Sequence, residues 1–146
     1  MKPLKLIIIS YLLIAIIGCS SGERLTAEER MEQRHQAHIE SIMEEDVSGI
    51  TERRPEMIGG QETLYRFVTY PANARRNEIQ GTVLLMVTVN EFGIPEDIKV
   101  ERSVHRELDR SAVAAMEQML FKPAVKNGER VPVQIPQPVI FRLALY

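Results

Sequence analysis

The sequence predicts an α+β domain in which a short helix precedes a β-β-α-β unit with a three-stranded antiparallel sheet in the order 2-1-3. Three patterns predict it: apolar residues alternate over residues 82–90, an apolar helical face spans residues 108–120, and alternation returns over residues 131–145. A hairpin followed by a helical crossover brings the last strand back beside the first. The first strand therefore lies in the middle of the sheet.

The central strand carries apolar side chains on both faces. One face holds Val83, Leu85, Val87 and Val89, and the other holds Leu84 and Met86 between two threonines. A strand of this kind is typical of the interior of a sheet that is covered on both faces. We expect Gly93 to supply the positive φ that closes a bulged hairpin after this strand, so that residues 94–104 return as the second strand.

The next helix and the last strand complete the sheet. The buried face of the helix is formed by Ala112, Ala115, Met116 and Met119, and Asp109 or a neighbour is expected to cap it. The last strand follows a turn at Asn127-Gly128. Pro136 and Pro138 are two residues apart, so their missing N–H groups point to the same side. This spacing predicts an edge strand whose outer side carries no ladder.

The N-terminal region has the pattern of a bacterial lipoprotein signal. Lys2 and Lys5 precede an apolar run over residues 6–17, and Ile16-Ile17-Gly18-Cys19 resembles a lipobox, whose cysteine is lipidated and becomes the new N-terminus. We expect residues 1–18 to be a signal peptide and Cys19 to carry the lipid. The alternative is an uncleaved membrane anchor, for which this run is short, because crossing a bilayer takes roughly 20 apolar residues.

Residues 19–54 are predicted to form a helical or partly disordered spacer, and residues 55–146 the folded domain. The spacer is rich in good helix formers, and Thr26 with Glu29 fits a capping box. His35 and His38 lie one helical turn apart, but no third ligand recurs at a matching spacing, and zinc sites normally use three or four protein ligands. We therefore interpret both as surface histidines.

Composition and motifs argue against several function classes. The formal charge is −2, whereas nucleic-acid-binding proteins usually carry a basic surface. The single cysteine leaves no internal disulfide. The sequence contains no phosphate-binding glycine loop, nucleophile elbow or metal-ligand cluster, and we interpret His105, Glu107 and Asp109 as a polar linker and helix cap. We expect no catalytic residues, no metal and no cofactor.

Several short motifs follow one another in a fixed order through the domain. They are Tyr70-Pro71 with Ala74-Arg75, Gly81-Thr82-Val83, the turn at Gly93, Val100 with Ser103, Leu108-Asp109 with Ala112, Phe121-Lys122-Pro123-Ala124, and Gly128 with Val131-Pro132-Val133. Taken in order over residues 70–143, they resemble the TonB C-terminal domain. The resemblance implies a periplasmic domain that binds outer-membrane receptors by pairing its last strand with a short receptor peptide.

From this resemblance we expect a module on the periplasmic side of the cell envelope, lipid-anchored to a membrane. Its partner would be an outer-membrane receptor or another periplasmic protein or peptide, with no role for nucleic acid. The expected contact is strand addition along Val139, Ile140, Phe141, Arg142 and Leu143, which follow the prolines and keep every backbone N–H. A homodimer through the same edge is a second expectation.

The alternative function is that of a true energy transducer, which keeps its N-terminal anchor and couples inner-membrane energy to outer-membrane receptors. In the family, such a protein has a transmembrane helix followed by a long proline-rich arm. This chain has a lipobox and no proline-rich run. The departure favours a lipid-anchored binding module.

Overall fold

The computed structural model describes residues 26–143, so the predictions on residues 1–25, including Cys19, lie outside the described residues. The helices are α1 (Ala27–Glu44), α2 (Gly60–Phe67), α3 (Ala72–Arg76) and α4 (Arg106–Met116). The strands are β1 (Glu52–Arg53), β2 (Glu56–Met57), β3 (Gly81–Val89), β4 (Pro95–Arg102), β5 (Phe121–Lys122), β6 (Ala124–Lys126), β7 (Glu129–Val131) and β8 (Val133–Phe141). Among these helices, none combines the length and the apolar character that a membrane crossing requires.

The main sheet has three antiparallel strands in the order β4-β3-β8, which confirms the predicted order 2-1-3. Strand β3 pairs with β8 in an uninterrupted register that runs from Gly81 opposite Phe141 to Val89 opposite Val133. Two small additional sheets, β1-β6-β7 and β2-β5, were not predicted. Their strands are two or three residues long, too short to leave an alternating pattern in the sequence.

The core lies against one face of β3. Its inward residues Val83, Leu85, Val87 and Val89 have no exposed surface, and they pack with the inner face of α4, as predicted. The opposite face of β3 is only half-buried at Leu84 and Met86, and across from these two residues stand exposed Pro138 and Pro136. The prediction that both faces are covered is therefore wrong. On this face, neighbouring side chains of the sheet shield Leu84 and Met86 from solvent only in part.

The hairpin turn is closed as predicted, with Gly93 at φ 77°. The side-chain oxygen of Asn90 accepts the N–H groups of Phe92 and Ile94 at 3.0 and 2.9 Å. The carbonyl oxygen of Gly93 also accepts the N–H of Phe121 at 2.8 Å. A Cβ atom at Gly93 would stand 1.9 Å from the carbonyl oxygen of Phe121. Glycine is therefore required here both by the backbone angle and by this close approach.

Strand β4 alternates poorly because its register shifts twice against β3. The shifts fall between Leu84 and Leu85 and between Met86 and Thr88 of β3. At the second shift Asp97 takes a positive φ of 45°. Each bulge adds a residue to β4 and turns the following side chains to the other face. This explains why the second strand could be placed from the sequence but its inward residues could not.

The predicted last strand, residues 131–145, is divided. Val131 ends β7, which pairs with β6 through the Asn127-Gly128 turn (φ 53° and 78°), whereas β8 begins at Val133 and pairs with β3. Pro132 separates the two strands, and its missing N–H interrupts the ladder where the chain passes from one sheet to the other. The alternation of apolar residues continues across this change of partner.

Helix α4 begins earlier than predicted, and its cap is His105 rather than Asp109. The imidazole Nδ1 of His105 accepts the N–H of Glu107 at 3.3 Å. The carboxylate of Asp109 instead accepts from Ser103 Oγ at 2.5 Å and from the N–H of Val104 at 3.2 Å. These side chains hold the linker between β4 and α4, in agreement with their interpretation as a polar linker and cap.

Helix α1 starts with the predicted capping box, in which Thr26 and Glu29 exchange hydrogen bonds of 2.7 and 3.2 Å. From Met31 onward it belongs to the same compact unit as the sheets. Its end is held by Arg130, whose guanidinium donates to the carbonyl oxygen of Glu45 at 2.6 Å, and by a 2.6 Å ion pair between Arg53 and the Glu45 carboxylate. This part of α1 is thus packed against the domain.

His38 is buried, and its interpretation as a surface histidine is wrong. Its Nε2 atom lies 3.0 Å from the carbonyl oxygen of Phe121, to which it can donate. Burial lowers the pKa of His38 below its ordinary value, while the contact with the Phe121 carbonyl partly opposes that shift. No local pattern predicts the burial of His38, because the contact joins residues far apart in the chain.

Candidate partner-binding edge

The outer side of β8 is the edge on which strand addition was predicted. The backbone groups of a strand point alternately to its two sides. Pro136 and Pro138 lie within the continuous β3–β8 register without donating to it, and the N–H of Ile140 is donated elsewhere. The even-numbered residues of β8 therefore direct their backbone groups outward, and the odd-numbered residues direct theirs to β3.

The two prolines divide this edge into two parts. At Pro136 and Pro138 only carbonyl oxygens face outward, since proline has no N–H. After them, Ile140 carries both an outward N–H and an outward carbonyl oxygen, and Arg142, the first residue past β8, has the same parity. The edge segment, which we define as residues 139–143, is therefore the end of β8 beyond the prolines together with the two residues that follow it.

The outward donor of Ile140 is already occupied within the domain. The hydroxyl oxygen of Tyr65, on α2, accepts the N–H of Ile140 at 3.1 Å. Three residues on, the side-chain oxygen of Gln80 accepts the N–H of Leu143 at 2.8 Å. The bond to Gln80 is on the β3 side, whereas the bond to Tyr65 is on the outer side, where an incoming backbone carbonyl can take the place of the hydroxyl.

Aromatic packing fixes the position of the edge segment. The rings of Tyr70 and Phe141 meet edge to face with their centroids 5.6 Å apart. The hydroxyl of Tyr70 donates to the carbonyl oxygen of Ile79 at 2.6 Å, and the Arg75 guanidinium lies 5.8 Å from the centre of the Tyr70 ring. The end of β8 is therefore held against a rigid support at Tyr70.

The five predicted contact residues fall into two groups. Val139 and Phe141 are buried in the core, so they hold the strand in place and present no side chain to a partner. Ile140 is 40% exposed, Arg142 is exposed, and Leu143 is half-buried just beyond the end of β8. The surface available to a partner is therefore formed by Ile140, Arg142 and Leu143 with the outward backbone.

Sequence reasoning missed Tyr65 and Gln80. Tyr65 is 39% exposed on a helix whose buried side is marked by Leu64. A large aromatic residue on the polar side of an amphipathic helix was the available signal, since such residues are enriched in contacts. For Gln80, in the loop before β3, the sequence holds no comparable signal. Across residues 26–143, no group of three or more potential metal ligands comes together.

Comparison with known proteins finds relatives that match about half of this chain. The family model described as the Gram-negative bacterial TonB protein C-terminal domain matches residues 67–143. Protein tonB2 of Pseudomonas aeruginosa is 40% identical over 75 residues, covering 51% of this chain and 28% of that protein. Protein TonB of Xanthomonas campestris pv. campestris strain B100 is 36% identical over 75 residues, covering 51% of this chain and 34% of that protein.

A solution structure of the Helicobacter pylori TonB C-terminal domain aligns with a TM-score of 0.40 and 26% identity, covering 57% of this chain and 78% of that one. The chain spans only 28% and 34% of the length of the two relatives named above, so the match concerns their C-terminal domain. The family match itself covers more than half of this chain. The chain belongs to the family of Gram-negative bacterial TonB protein C-terminal domains.

Proposed function

We propose that this protein is a lipid-anchored TonB-like module on the periplasmic side of the cell envelope, and that it binds an extended peptide of a partner protein by strand addition at residues 139–143. The partner is an outer-membrane receptor or another envelope protein of a TonB-type transport system. One observation carries the proposal: beyond Pro138, the outward N–H of β8 is held by a single tyrosine hydroxyl and by no strand of the described residues.

The prolines support a short contact. A partner strand that ran along the whole of β8 would find no donors at Pro136 and Pro138. Beside Ile140 and Arg142, it finds donors and acceptors in alternation. Main-chain hydrogen bonds would supply the affinity, while Arg142 would pair with an acidic group on the partner and so add specificity.

A proline scan tests this contact. Ile140→Pro and Arg142→Pro have the same parity as Pro138, so both spare the ladder to β3 and remove an outward donor. A partner is first identified by crosslinking from a photoreactive residue at position 142 in the native bacterium, with position 126 as the control site. We expect both proline variants to bind the identified partner at least about tenfold more weakly. Wild-type affinity in both variants would rule out strand addition here.

The proposed anchor is tested separately by mass spectrometry of the mature N-terminus. A diacylglyceryl group on Cys19 is the expected result. An intact Met1 would instead favour the alternative function, a transducer that keeps its N-terminal anchor and couples inner-membrane energy to outer-membrane receptors. The observation that favours this alternative is the relationship to full-length TonB proteins.

A homodimer through the same edge is a competing use of residues 139–143. It would occupy the same outward groups, so it predicts that the proline variants also lose self-association. Sedimentation of the wild type and of Arg142→Pro measures this directly. Self-association that persists in Arg142→Pro would place any dimer contact elsewhere.

A further inference from the structure

The side of the sheet opposite β8 carries an open groove between β4 and α4. Its volume is about 420 Å³, and β4 and α4 line it with Val100, Ser103, Arg106, Asp109, Arg110, Val113, Ala114 and Glu117. Strand β4 is the outer strand of the sheet on this side, with β3 as its one strand neighbour among the described residues. The groove and the edge segment therefore lie on opposite edges of the same sheet.

The floor of the groove is an uncovered extension of the core. Val100 stands opposite Leu85, which is fully buried, yet Val100 itself is 38% exposed. Val113 packs against the core from the helix side and lines the same groove. The two β4 bulges displace this strand relative to a regular sheet, so its apolar side chains are left without full cover by α4.

Charge is separated along the groove. Arg106 and Arg110 lie one turn apart on α4, and the ion pairs found within residues 26–143 involve other arginines, Arg53 and Arg66. The Asp109 carboxylate lines the same end and accepts only from the neutral groups of Ser103 and Val104, so two arginines face one carboxylate there. At the far end stands Glu117, about 16 Å from Arg106 along the helix at 1.5 Å per residue. One end of the groove is therefore cationic, and the other is anionic.

We propose that this groove is a second peptide-binding site, which takes an extended segment with an acidic residue against Arg106 and Arg110, aliphatic side chains over Val100 and Val113, and a basic residue against Glu117. A distance of about 16 Å corresponds to about five residues of extended chain. The exposed edge of β4 lies alongside and offers backbone groups to such a segment. The domain would then hold two different segments at once, one at each edge of its sheet.

The test uses a synthetic peptide and NMR titration of the full, ¹⁵N-labelled chain in detergent. The peptide is acetyl-Asp-Thr-Val-Thr-Val-Thr-Lys-amide, in which Asp, both Val and Lys alternate to one side of an extended strand; its Asp and Lys are about 20 Å apart, so each side chain reaches back about 2 Å to meet its partner. We expect saturable shifts at the amides of Val100, Ser103 and Val113. A matched peptide with Asn for Asp and Gln for Lys should bind about tenfold more weakly.

Two charge-reversal variants separate the groove from general charge effects. Arg110→Glu should weaken binding of the charged peptide about tenfold, whereas Lys126→Glu, an equal charge change at the end of β6, should leave it unchanged. Thermal unfolding confirms that both variants are folded. Three results would overturn the groove site: no saturable shifts, equal binding of the neutral peptide, or wild-type binding by folded Arg110→Glu. Shifts confined to Ile140 and Arg142 would also overturn it, while supporting strand addition at β8.

Discussion

The hydroxyl oxygen of Tyr65 accepts the backbone N–H of Ile140 at 3.1 Å, which joins helix α2 to the outer side of the last strand. A protein backbone edge is more often left to water or blocked by charge. Here a neutral side chain accepts the N–H of Ile140, and two prolines earlier in the strand leave their outward positions without an N–H donor. Binding of a partner strand at this edge requires that the tyrosine hydroxyl give up this bond.

Tyr65→Phe should therefore strengthen partner binding slightly. Loss of one hydrogen bond at the surface should cost about 0.5 kcal/mol of stability. Because a partner would no longer have to break that bond, its affinity should rise about two- to threefold. Isothermal titration with an identified partner peptide measures the change. The control is Tyr70→Phe, which loses a hydrogen bond to the carbonyl of Ile79 and leaves the donor of Ile140 untouched. Equal or weaker binding by Tyr65→Phe would show that the partner does not use this donor.

Val87→Asp should unfold the domain. Val87 is fully buried in the middle of the central strand, and an aspartate there would bury an unpaired charge or be forced to take up a proton. The expected loss of stability exceeds about 4 kcal/mol. Chemical denaturation followed by circular dichroism measures it, with the exposed Gln134→Asp on β8 as the matched control. A folded Val87→Asp protein with an unchanged transition would contradict the placement of this strand.

Gly93→Ala should cost at least about 2 kcal/mol, because it adds a positive-φ penalty to a collision with the Phe121 carbonyl. The matched control is Gly49→Ala, where an added Cβ meets nothing within 4 Å. Thermal unfolding of the two variants makes the comparison. Similar melting temperatures would show that the hairpin turn is not built as described.

Acidification should lower the free energy of unfolding of the domain, because His38 is buried in its neutral form. Burial lowers the folded-state pKa of His38, so between that pKa and the ordinary value near 6.5 the unfolded chain binds more protons than the folded one. The contribution of neutral His38 is complete above about pH 6.5 and is lost as the pH falls toward the folded-state pKa. Urea unfolding at pH 7.5 and 5 measures the loss.

The variants His38→Gln and His35→Gln isolate this effect. Glutamine at position 38 can still donate to the Phe121 carbonyl but does not titrate, so His38→Gln should lose part of the pH dependence. His35 does not make the buried contact, and its charge contributes less than burial to the lowered pKa of His38, so His35→Gln should keep most of that dependence. The same pH dependence in His38→Gln and wild type would assign it to other groups.

Local patterns were enough to predict the main sheet. The alternation of Val83, Leu85, Val87 and Val89 predicted the central strand because a buried face has a fixed period of two. Contacts between distant residues left no such pattern. The burial of His38 depends on Phe121, more than eighty residues away, and the last strand was predicted too long because apolar alternation continues through Pro132 although the strand partner changes.

The candidate site was predicted in part for the same reason. Prolines at 136 and 138 indicated an edge strand, since their effect on a ladder is local. The hydrogen bond from the Ile140 N–H to Tyr65 depends on how α2 lies against β8, which no local pattern encodes. Sequence reasoning therefore located the edge but not the side chains that cover it.

Amide hydrogen exchange at Ile140 and Arg142 tests strand addition most directly. The full chain is measured with and without a saturating identified partner peptide, and the buried ladder at Val139 serves as the internal reference. If the peptide adds as a strand, both outward amides become at least about tenfold more protected, because each gains a backbone hydrogen bond. Unchanged exchange at Ile140 and Arg142 in the saturated complex would contradict binding at this edge.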